Sequence, residues 1–554
     1  MNADLSHRLA FPTLAILILL LAAVVRTAHL SSDPPPGLSY SRAEYTDEGL
    51  KFYQARNRAL FGHWFIQTPH SFQGHLTPSP VPTIAGWLSF RFLGVGRVQA
   101  RLLSVVSGVL SCILLALIGL RTSRPSLGLL AAAFASVNTV LTSYDRLALF
   151  EPLAAFFLLL ALLTVFLLPG NQILAQIKSR FASPYFTDYP LAPALGDLFV
   201  RTLSDSTLAV WTPLLLIIAL AALPSSLLSP QPSPRRDPDL LFACWFLASF
   251  LAVSFLDYRP TRYFVFLLVP ACWLSASWII RASTGLLSFP SSLSRRIAWF
   301  ALGFLACIQI MGIGLRYAVA NRHDLTLLLS LETPALTSFK DFIESRLIGS
   351  RSVPSSVPLS DSIAAMKAHI LNLSLAALAL LVLALLLIRA RRLLLPHAFP
   401  PPLRVSLCAA LAVCMFVSQA AALLDLHSSH SLRYEVRRAS KSIPSLIGPN
   451  PRACIAGNWA PLLCMDSPYF TLPFARGGGN SWDTFKRFPV THLLLERGSP
   501  DEQLFMLQSY PSEFSRCSLI ASFKIDFYTI DLFVYTPPDS QPPPAWPFPE
   551  VPPR

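Results

Sequence analysis

Ionisable residues that could do chemistry stand in three polar islands between long apolar runs. The first island, "EYTDEGLKFYQARNRALFGHW" (44–64), opens on the adjacent carboxylates Asp47 and Glu48, and Lys51 and Arg58 follow. A carboxylate can act as a general base, and nearby cations can stabilise an anionic group. The alternative is structural, because acids in a first helical turn also complement the helix dipole.

The second island, "TSYDRLALFEP" (142–152), lies between two apolar runs and carries Asp145, Arg146 and Glu151. Ionisable residues at or inside a bilayer are expensive to keep and are therefore candidates for function. The alternative interpretation is a charged turn that joins two membrane spans.

The third island, "DYRPTRYFVFLLVP" (257–270), places Arg262 and Tyr263 at the start of an apolar run. Arginine suits phosphate because its planar fork can bond two oxygens at once. The alternative is an interfacial anchor, since Arg and Tyr also mark the membrane–water boundary.

Other signals for chemistry are weak. His63, His70 and His75 lie close together in the sequence but match no known metal-ligand spacing, so we predict no metal site there. "RGGGN" (476–480) lacks the Lys-Ser/Thr of a phosphate-binding P-loop and is interpreted as a plain loop.

The composition determines which elements must position these islands. Of the 554 residues, 53% are hydrophobic and only 13% are charged, whereas a soluble protein carries roughly 25% charged residues. From Asp425 onward basic and acidic residues are equal in number, so the net charge of +14 arises before that point. Scattered basic residues around spans favour contact with anionic membrane lipids and argue against nucleic acid as a partner.

Ten apolar runs are long enough to be membrane spans of about 20 residues. The first is interpreted as a retained anchor and not as a cleaved signal peptide, because so many spans follow. The basic cluster "RARR" (389–392) should be cytoplasmic, which puts the chain after residue 424 outside. An even number of spans cannot join an inside N-terminus to an outside C-terminus, so we expect about 11, with 81–94 or 169–206 as the missing one. The ten runs are 9–25, 98–120, 126–143, 147–168, 207–228, 239–256, 262–280, 297–315, 370–388 and 403–424.

The first island predicts a helix from Asp47 to Phe61 with Thr46 as its N-cap. Lys51 and Arg58 share one face and apolar residues share another. Directly after a span, such an amphipathic helix should lie in the headgroup plane.

The C-terminal part has short apolar runs in place of the long ones before it. Short apolar runs at 453–457, 492–497, 519–525 and 529–537 predict strands, and "SPDEQLFMLQSY" (499–510) predicts a helix. We expect a transmembrane domain (1–424) with a first extracytoplasmic loop (26–96), a small extracytoplasmic α/β domain (425–537) and a proline-rich tail (538–554). One disulfide among Cys454, Cys464 and Cys517 is possible if this domain is outside.

The order of the islands resembles the polyprenyl-phosphate-sugar-dependent glycosyltransferases of superfamily C, and in particular the bacterial relatives of protein O-mannosyltransferases and the lipid A aminoarabinose transferase (family 39-like). Their first extracytoplasmic loop opens on an acidic pair, which Asp47 and Glu48 match. Arg101, in "GVGRVQARLLSVVSGVL", matches an arginine that begins a span in the family. The remaining matches are Arg146 to Pro152, with Glu151 where many relatives have Asp, and the pair Arg262 and Tyr263.

The resemblance implies a polytopic α-helical membrane protein of the GT-C fold in a bacterial inner membrane. It would transfer a sugar, with inversion, from a polyprenyl-phosphate donor to an extracytoplasmic acceptor (protein, lipid or glycan). Asp47 or Glu48 would take the acceptor proton, and Asp47 is the preferred base. Lys51, Arg58, Arg101, Arg146, Glu151, Arg262 and Tyr263 would bind substrate. The family does not uniformly need a cofactor, and a divalent metal ion at the acid pair stays open.

Two other classes of protein share some of these features. A lipid or sugar transporter would need ionisable residues in mid-span or broken helices in symmetric halves, and the sequence has no two-fold repeat. A non-catalytic scaffold that displays the C-terminal domain would leave the polar islands unexplained.

Overall fold

The apolar runs before residue 427 form packed helices, and the C-terminal part of the chain forms a small sheet. These features come from a computed structural model of the chain. Its described residues are 2–35, 43–64, 79–167, 213–227, 238–254, 261–284, 401–427, 432–448, 450, 452–476, 484–526 and 528–538. The runs predicted as spans at 297–315 and 370–388, and the segment 169–206, lie outside these residues.

Every predicted span that falls among the described residues is helical. Three helices are long and apolar enough to cross a membrane, α4, α10 and α11 as defined below, with a bent pair as a fourth candidate, so the predicted total of about 11 spans stays a prediction. The helices are α1 (Asn2–Thr27), α2 (Ala43–Phe61), α3 (Pro80–Leu93), α4 (Arg97–Arg121), α5 (Pro125–Val137), α6 (Thr139–Asp145), α7 (Glu151–Leu167), α8 (Pro213–Leu227), α9 (Pro238–Ser254), α10 (Val265–Thr284, after a 3₁₀ turn at Thr261–Phe264) and α11 (Pro401–Leu426).

Helix α10 is the centre of the helical part. It packs against α5, α8, α9 and α11. Its most apolar window is 78% buried, whereas that of α11 is 28% buried, so α11 lies on the outside. Trp273 of α10 stacks on Phe242 of α9 with ring centroids 4.5 Å apart. Arg262, at the start of this helix, is therefore held by the most enclosed element of the core.

The predicted single span 126–143 is wrong in one respect, because the helix breaks at Asn138 and turns by 66°. Asn138 adopts an extended conformation, and its side chain accepts a hydrogen bond from the Leu141 amide as the N-cap of α6. Gln419 of α11 accepts from the Thr139 amide at 3.0 Å. These contacts satisfy the backbone groups that the break leaves open.

A buried carboxylate ties together the end of the bundle that lies away from the polar islands. Asp239, at the start of α9, is fully buried and pairs with Arg124 at 2.9 Å and with Arg281. It also accepts hydrogen bonds from the Trp273 indole and the Ser277 hydroxyl. Two arginines therefore share one carboxylate, which leaves this group of three side chains with a positive charge.

The short helix α3 exposes apolar side chains. Val81 is 55% exposed and Phe92 is 79% exposed, while Gly86 and Phe90 face inward against Phe52 of α2. A helix with one apolar open face next to a span suits the membrane boundary.

The C-terminal part is a five-stranded mixed sheet. The strand order is β2-β1-β3-β5-β4, in which β1 is parallel to β2 and β3, and β5 is antiparallel to β3 and β4. The strands are β1 (Cys454–Ala456), β2 (Phe470–Leu472), β3 (His492–Glu496), β4 (Cys517–Ile525) and β5 (Tyr528–Tyr535). The helices are α12 (Glu435–Ile447), α13 (Ala460–Leu463), α14 (Thr484–Arg487), α15 (Gln503–Ser509) and α16 (Pro511–Phe514).

The possible disulfide does not form in this sheet. Cys454, Cys464 and Cys517 are all free thiols. Cys464 and Cys454 lie in separate apolar clusters, one on each side of the sheet, and act there as small core residues.

Helix α2 begins at Ala43, earlier than predicted, so Thr46 is inside the helix and is not its N-cap. The prediction of an exposed surface helix is also wrong, because α2 is buried between the bundle and the C-terminal sheet. Its location in the headgroup plane stays a prediction. Gly49 touches the backbone of Pro461 and Leu462, where an added Cβ would collide with the Leu462 amide nitrogen. The Arg56 guanidinium donates to four carbonyls of the 464–469 loop, those of Cys464, Met465, Ser467 and Tyr469.

The contact at Gly49 gives a test of this packing. Gly49→Ala should lower the free energy of unfolding by about 1–3 kcal/mol, because the added methyl group meets backbone atoms that cannot move alone. The measurement is the Tm of the purified full-length chain in detergent. Ser442→Ala, at an exposed position of α12, is the control, and an equal Tm for all three proteins would contradict the contact.

Candidate active site

Asp47, Glu151 and Arg262, predicted from three different islands, meet in one ion-pair cluster. Arg262 Nη2 lies 2.8 Å from Asp47 Oδ2, and Arg262 Nε lies 3.0 Å from Glu151 Oε1. The Arg262 side chain is 6% exposed and that of Asp47 is 18% exposed. The guanidinium also lies over the ring of Tyr263, 5.4 Å from its centroid. Asp47 is thus a carboxylate that a substrate can reach, held beside a buried cation.

Three chain elements position this cluster. Asp47 lies in the second turn of α2, Glu151 opens α7, and Arg262 lies in the 3₁₀ turn before α10. Each element begins or ends at the same side of the bundle, so charges far apart in the sequence come together. Glu151 Oε2 is buried and makes no hydrogen bond to the described residues, which leaves one carboxylate oxygen available to a donor from a ligand.

Glu48 has a different environment from its neighbour. Arg101 donates through Nε to Glu48 Oε1 and through Nη2 to Oε2, both at 2.7 Å, and both side chains are 1% exposed. The Ala148 amide donates to Glu48 Oε1 at 2.8 Å. A carboxylate with both oxygens engaged and no exposure to solvent is poorly placed to take a substrate proton.

Arg101 extends this contact to the end of the first helix. Its Nη1 donates to the carbonyl oxygens of Leu30 and Ser32, at 2.6 Å and 2.5 Å. The Glu48–Arg101 pair therefore joins α2, α4, the segment after α1 and the loop before α7.

Lys51 lies in the middle of α2, and Arg58 lies in its last turn. Lys51 follows Asp47 by four residues on the same helix face, and its Nζ lies 5.6 Å from the centroid of the Phe150 ring. Arg58 is exposed, donates to the Gly62 carbonyl and lies over Trp64. Eleven residues of helix correspond to roughly 16 Å, so Arg58 lies well away from Asp47.

Arg146 does not join the Asp47 cluster. Its Nη2 donates to the carbonyls of Ala28 and His29 at 2.7 Å and 3.0 Å, and to the Ser32 hydroxyl at 3.2 Å. Of the predicted site residues, Asp47, Glu151, Arg262 and Tyr263 lie together, whereas Arg146 binds the 28–32 segment.

The acid pair does not fit a metal ion. Glu48 binds Arg101 with both oxygens while Asp47 binds Arg262, so the two carboxylates do not converge. Within the described ranges there is no group of three or more His, Cys, Asp or Glu side chains that could hold a metal. His70 and His75 lie outside those ranges.

Sequence reasoning missed the buried arginines that organise the segment around the site. Arg26, at the end of α1, pairs with Asp145 at 2.7 Å, and Arg97 pairs with Asp33 at 3.3 Å. Asp33 also accepts from the Glu435 and Val436 amides at the start of α12. An Arg that directly follows an apolar run was the available signal for Arg26, but its partner lies 119 residues away.

The turn between β4 and β5 contacts α2 just before Asp47. Asp526 pairs with Arg433 at 2.7 Å and is hydrogen-bonded by the Tyr45 side chain, while its amide donates to Glu435. Burial raises the pKa of Asp526 to about 6, against the opposing charge of Arg433. The C-terminal sheet therefore touches the helix that carries Asp47 through a carboxyl that titrates near neutral pH.

The two adjacent acids should respond differently to mutation. Glu48→Ala leaves the buried Arg101 without its counter-ion and should destabilise the chain by about 3–5 kcal/mol. Asp47→Asn, in the partly exposed cluster, should change stability by less than about 1 kcal/mol. Thermal unfolding of both purified variants measures the difference, and similar losses would contradict the assignment of separate roles.

The pKa of Asp526 predicts a pH-dependent stability. Because the folded-state pKa of about 6 lies above the ordinary value of about 3.9, the folded chain holds this proton more tightly than the unfolded chain. The stabilisation is complete below a pH of about 4 and is lost as the pH rises through about 6.

Asp526→Asn should therefore raise the Tm at pH 7.5 relative to wild type and leave it nearly unchanged at pH 4. Loss of the ion pair with Arg433 offsets part of the gain. Glu513→Gln, at the other end of β4, is the control. If the Tm of Asp526→Asn followed the wild-type pH profile, the titration of Asp526 would be disproved.

Solved structures of known proteins are similar to this chain over most of its length. No family model and no curated protein matches the chain. The crystal structure of ArnT from Cupriavidus metallidurans bound to undecaprenyl phosphate matches 95% of this chain and 98% of its own, with 13% identity and a TM-score of 0.47. Its apo state matches 96% and 98%, with 14% identity and a TM-score of 0.48.

The oligosaccharyltransferase of Archaeoglobus fulgidus, in complex with Zn and sulfate, matches 87% of this chain and 67% of its own, with 12% identity and a TM-score of 0.32. ArnT and the oligosaccharyltransferase are glycosyltransferases of superfamily C, the class that the sequence resembles. These overlaps are loose, so the case for function rests on the side chains described above.

Proposed function

We propose that this chain is an integral membrane glycosyltransferase that moves a sugar from a polyprenyl-phosphate donor to an acceptor hydroxyl. The observation that supports it best is the Asp47–Arg262–Glu151 cluster, which places a reachable carboxylate beside a buried arginine at the end of a helical bundle. The reaction needs these two groups: a base for the acceptor, and a cation for the phosphate that leaves.

The chemistry is a single displacement. The acceptor oxygen forms a bond to the anomeric carbon as the bond from that carbon to the phosphate oxygen breaks, and the acceptor proton passes to the Asp47 carboxylate. The electron pair of the broken bond stays on the polyprenyl phosphate. Because this leaving group is a stable anion, it needs a cation more than it needs an acid.

Arg262 would connect donor binding to activation of the base. In the absence of a donor its guanidinium is paired with Asp47, so Asp47 Oδ2 is occupied. A phosphate that takes Nη2 as its partner would free the Asp47 oxygen for the acceptor. Glu151 would keep Arg262 in place through Nε during this exchange.

Glu48 and Arg101 act in this scheme as positioning residues. Their buried pair fixes the turn of α2 on which Asp47 stands, and neither touches the reacting atoms. Lys51, one turn further along the same face, is a second cation for the phosphate. Arg58 would act at the membrane surface and not at the reacting centre, since it lies at the far end of α2.

The charges also suggest an orientation in the membrane. Arg121, Arg124 and Arg281 lie at the end of the bundle away from the site, and an excess of basic residues favours the cytoplasmic side. The site and the C-terminal sheet would then be extracytoplasmic in a bacterial inner membrane. A lipid-linked donor would present its phosphate there while its chain stays among the helices.

Asp47→Asn is the direct test of the base. The variant should lose transfer from a polyprenyl-phosphate donor by at least about 100-fold, the lower end of the contribution of general base catalysis, with unchanged membrane expression. Transfer is followed by mass spectrometry of glycans and glycolipids after incubation of the purified chain with cell-envelope lipids. Glu513→Gln, in α16 of the C-terminal part, is the control. Full activity of Asp47→Asn would remove this residue from the base role.

Arg262→Lys tests the phosphate role separately. A single ammonium keeps the charge but cannot bond Asp47 and a phosphate oxygen from one planar fork. We expect KM for the donor to rise at least about tenfold while KM for the acceptor changes little. Equal changes in both constants would be the contrary result.

A further inference from the structure

Arg146 is a buried arginine whose charge no described carboxylate balances. Arg146 as a whole is only 7% exposed, and it donates hydrogen bonds to two neutral carbonyls and a hydroxyl. Nε is buried without a hydrogen-bond partner in the described part of the chain. The buried arginines Arg26, Arg101 and Arg262 at this end of the bundle each have an acid within 3.0 Å, and Arg97 has one at 3.3 Å. A buried, unpaired charge is costly, so an anion from outside the chain would relieve it.

The groups around Arg146 are also cationic or hydrogen-bonding, and none is an acid. The charge of Arg146 acts on His427 and on Tyr434. The His29 ring lies 6.4 Å from that of His427, and its Nδ1 lies 3.2 Å from the Tyr434 hydroxyl. Burial and the charge of Arg146 lower the pKa of His427. Two imidazoles and a phenol beside an unbalanced guanidinium form a group that suits the oxygens of an anion.

The location of this group indicates what kind of anion could reach it. His29 follows the end of α1 and His427 follows the end of α11. Just before those ends, Val24 is 60% exposed and Leu424 is 73% exposed. Apolar side chains on the open faces of both helices would contact acyl chains if the helices stand in a membrane, and the polar group would then lie at headgroup height.

We propose that Arg146, His29, His427 and Tyr434 bind the phosphate monoester headgroup of a membrane lipid. The apolar surface below the group favours a lipid over free phosphate. The site is separate from the cluster proposed for sugar transfer, because Arg146 contacts the 28–32 segment and has no contact with Asp47, Glu151 or Arg262 among the described residues. The Glu48–Arg101 pair lies between them, since Arg101 binds Glu48 on one side and the Ser32 carbonyl on the other. The proposal therefore does not depend on the transfer reaction.

The test is retention of phosphatidate by the full-length chain. Wild-type protein is purified in nanodiscs of phosphatidylcholine with a small fraction of phosphatidate and examined by native mass spectrometry. Arg146→Gln should bind phosphatidate at least about tenfold more weakly, as expected for the loss of a charge-assisted hydrogen bond. Arg438→Gln, which removes the same charge from an exposed position of α12, should bind it like wild type. Equal binding by Arg146→Gln and wild type would overturn the site.

Further variants separate this site from folding and from the transfer site. Arg146→Gln removes three hydrogen bonds, so its Tm without added lipid is measured first, and His427→Phe, which keeps a ring of similar size, should also weaken binding. The Arg146-dependent part of phosphatidate binding should persist in Arg262→Gln. Loss of phosphatidate in Arg262→Gln but not in Arg146→Gln would move the lipid to the transfer site and overturn the proposal.

The source of the phosphate is decided in a second arm. Inorganic phosphate is added to the protein in detergent and the Tm is followed. We expect a rise in Tm with a short-chain phosphatidate that depends on Arg146, and no such rise with inorganic phosphate at the same concentration. An equal, Arg146-dependent rise with both would overturn the assignment to a lipid headgroup.

Discussion

The buried pair of Glu48 and Arg101 is the interaction on which the geometry of the site depends. It is bidentate, fully enclosed and reinforced by the Ala148 amide, so the second turn of α2 has one possible rotation about its own axis. Adjacent residues of an α-helix point about 100° apart. Once Glu48 faces Arg101, Asp47 must face elsewhere, and the direction left to it leads to Arg262. Two neighbouring carboxylates thus acquire different environments from one constraint.

Helix α2 has to satisfy two surfaces, and this explains its sequence better than a membrane interface does. Towards the bundle it presents Phe52, whose ring makes edge contacts with Phe90 and Phe150. Towards the C-terminal sheet it presents Gly49 and Arg56, one without a side chain and the other with a guanidinium that four loop carbonyls accept. Burial lowers the pKa of Arg56 to about 10, which still leaves it protonated at neutral pH. A charge next to a span therefore does not by itself indicate a headgroup contact.

The sequence predicted those features that depend on a local pattern or on the order of segments along the chain. The apolar runs predicted the described helices, and Asp47, Glu151 and Arg262 were predicted as site residues from islands that each follow or open a span. It could not separate Asp47 from Glu48, since the difference depends on Arg101, 53 residues further on. It placed Arg146 with Arg262 because both are arginines at span ends, whereas the partners of Arg146 are carbonyls of the 28–32 segment.

Other errors have equally specific physical causes. The break at Asn138 was missed because Gln419, which satisfies the open amide, comes from a helix near the other end of the chain. Strand β2 was missed because its three residues carry no alternation, and it forms only by pairing in parallel with β1. Such features depend on partners distant in sequence, which composition and periodicity do not contain.

The two ends of the bundle balance charge in opposite ways, and that contrast bears on function. At one end Asp239 is shared by Arg124 and Arg281. The excess positive charge there needs no bound anion, because solvent reaches the Arg124 side chain. At the other end Glu48 is matched to Arg101, Asp145 to Arg26, and Asp47 with Glu151 to Arg262. In the last cluster two carboxylates share a single cation, so an arriving phosphate that takes Nη2 as its partner would leave the Asp47 oxygen open to an acceptor hydroxyl while Glu151 keeps its contact with Nε. Such an exchange needs no movement of the arginine, and the fully engaged Glu48–Arg101 pair offers no similar opening to a substrate.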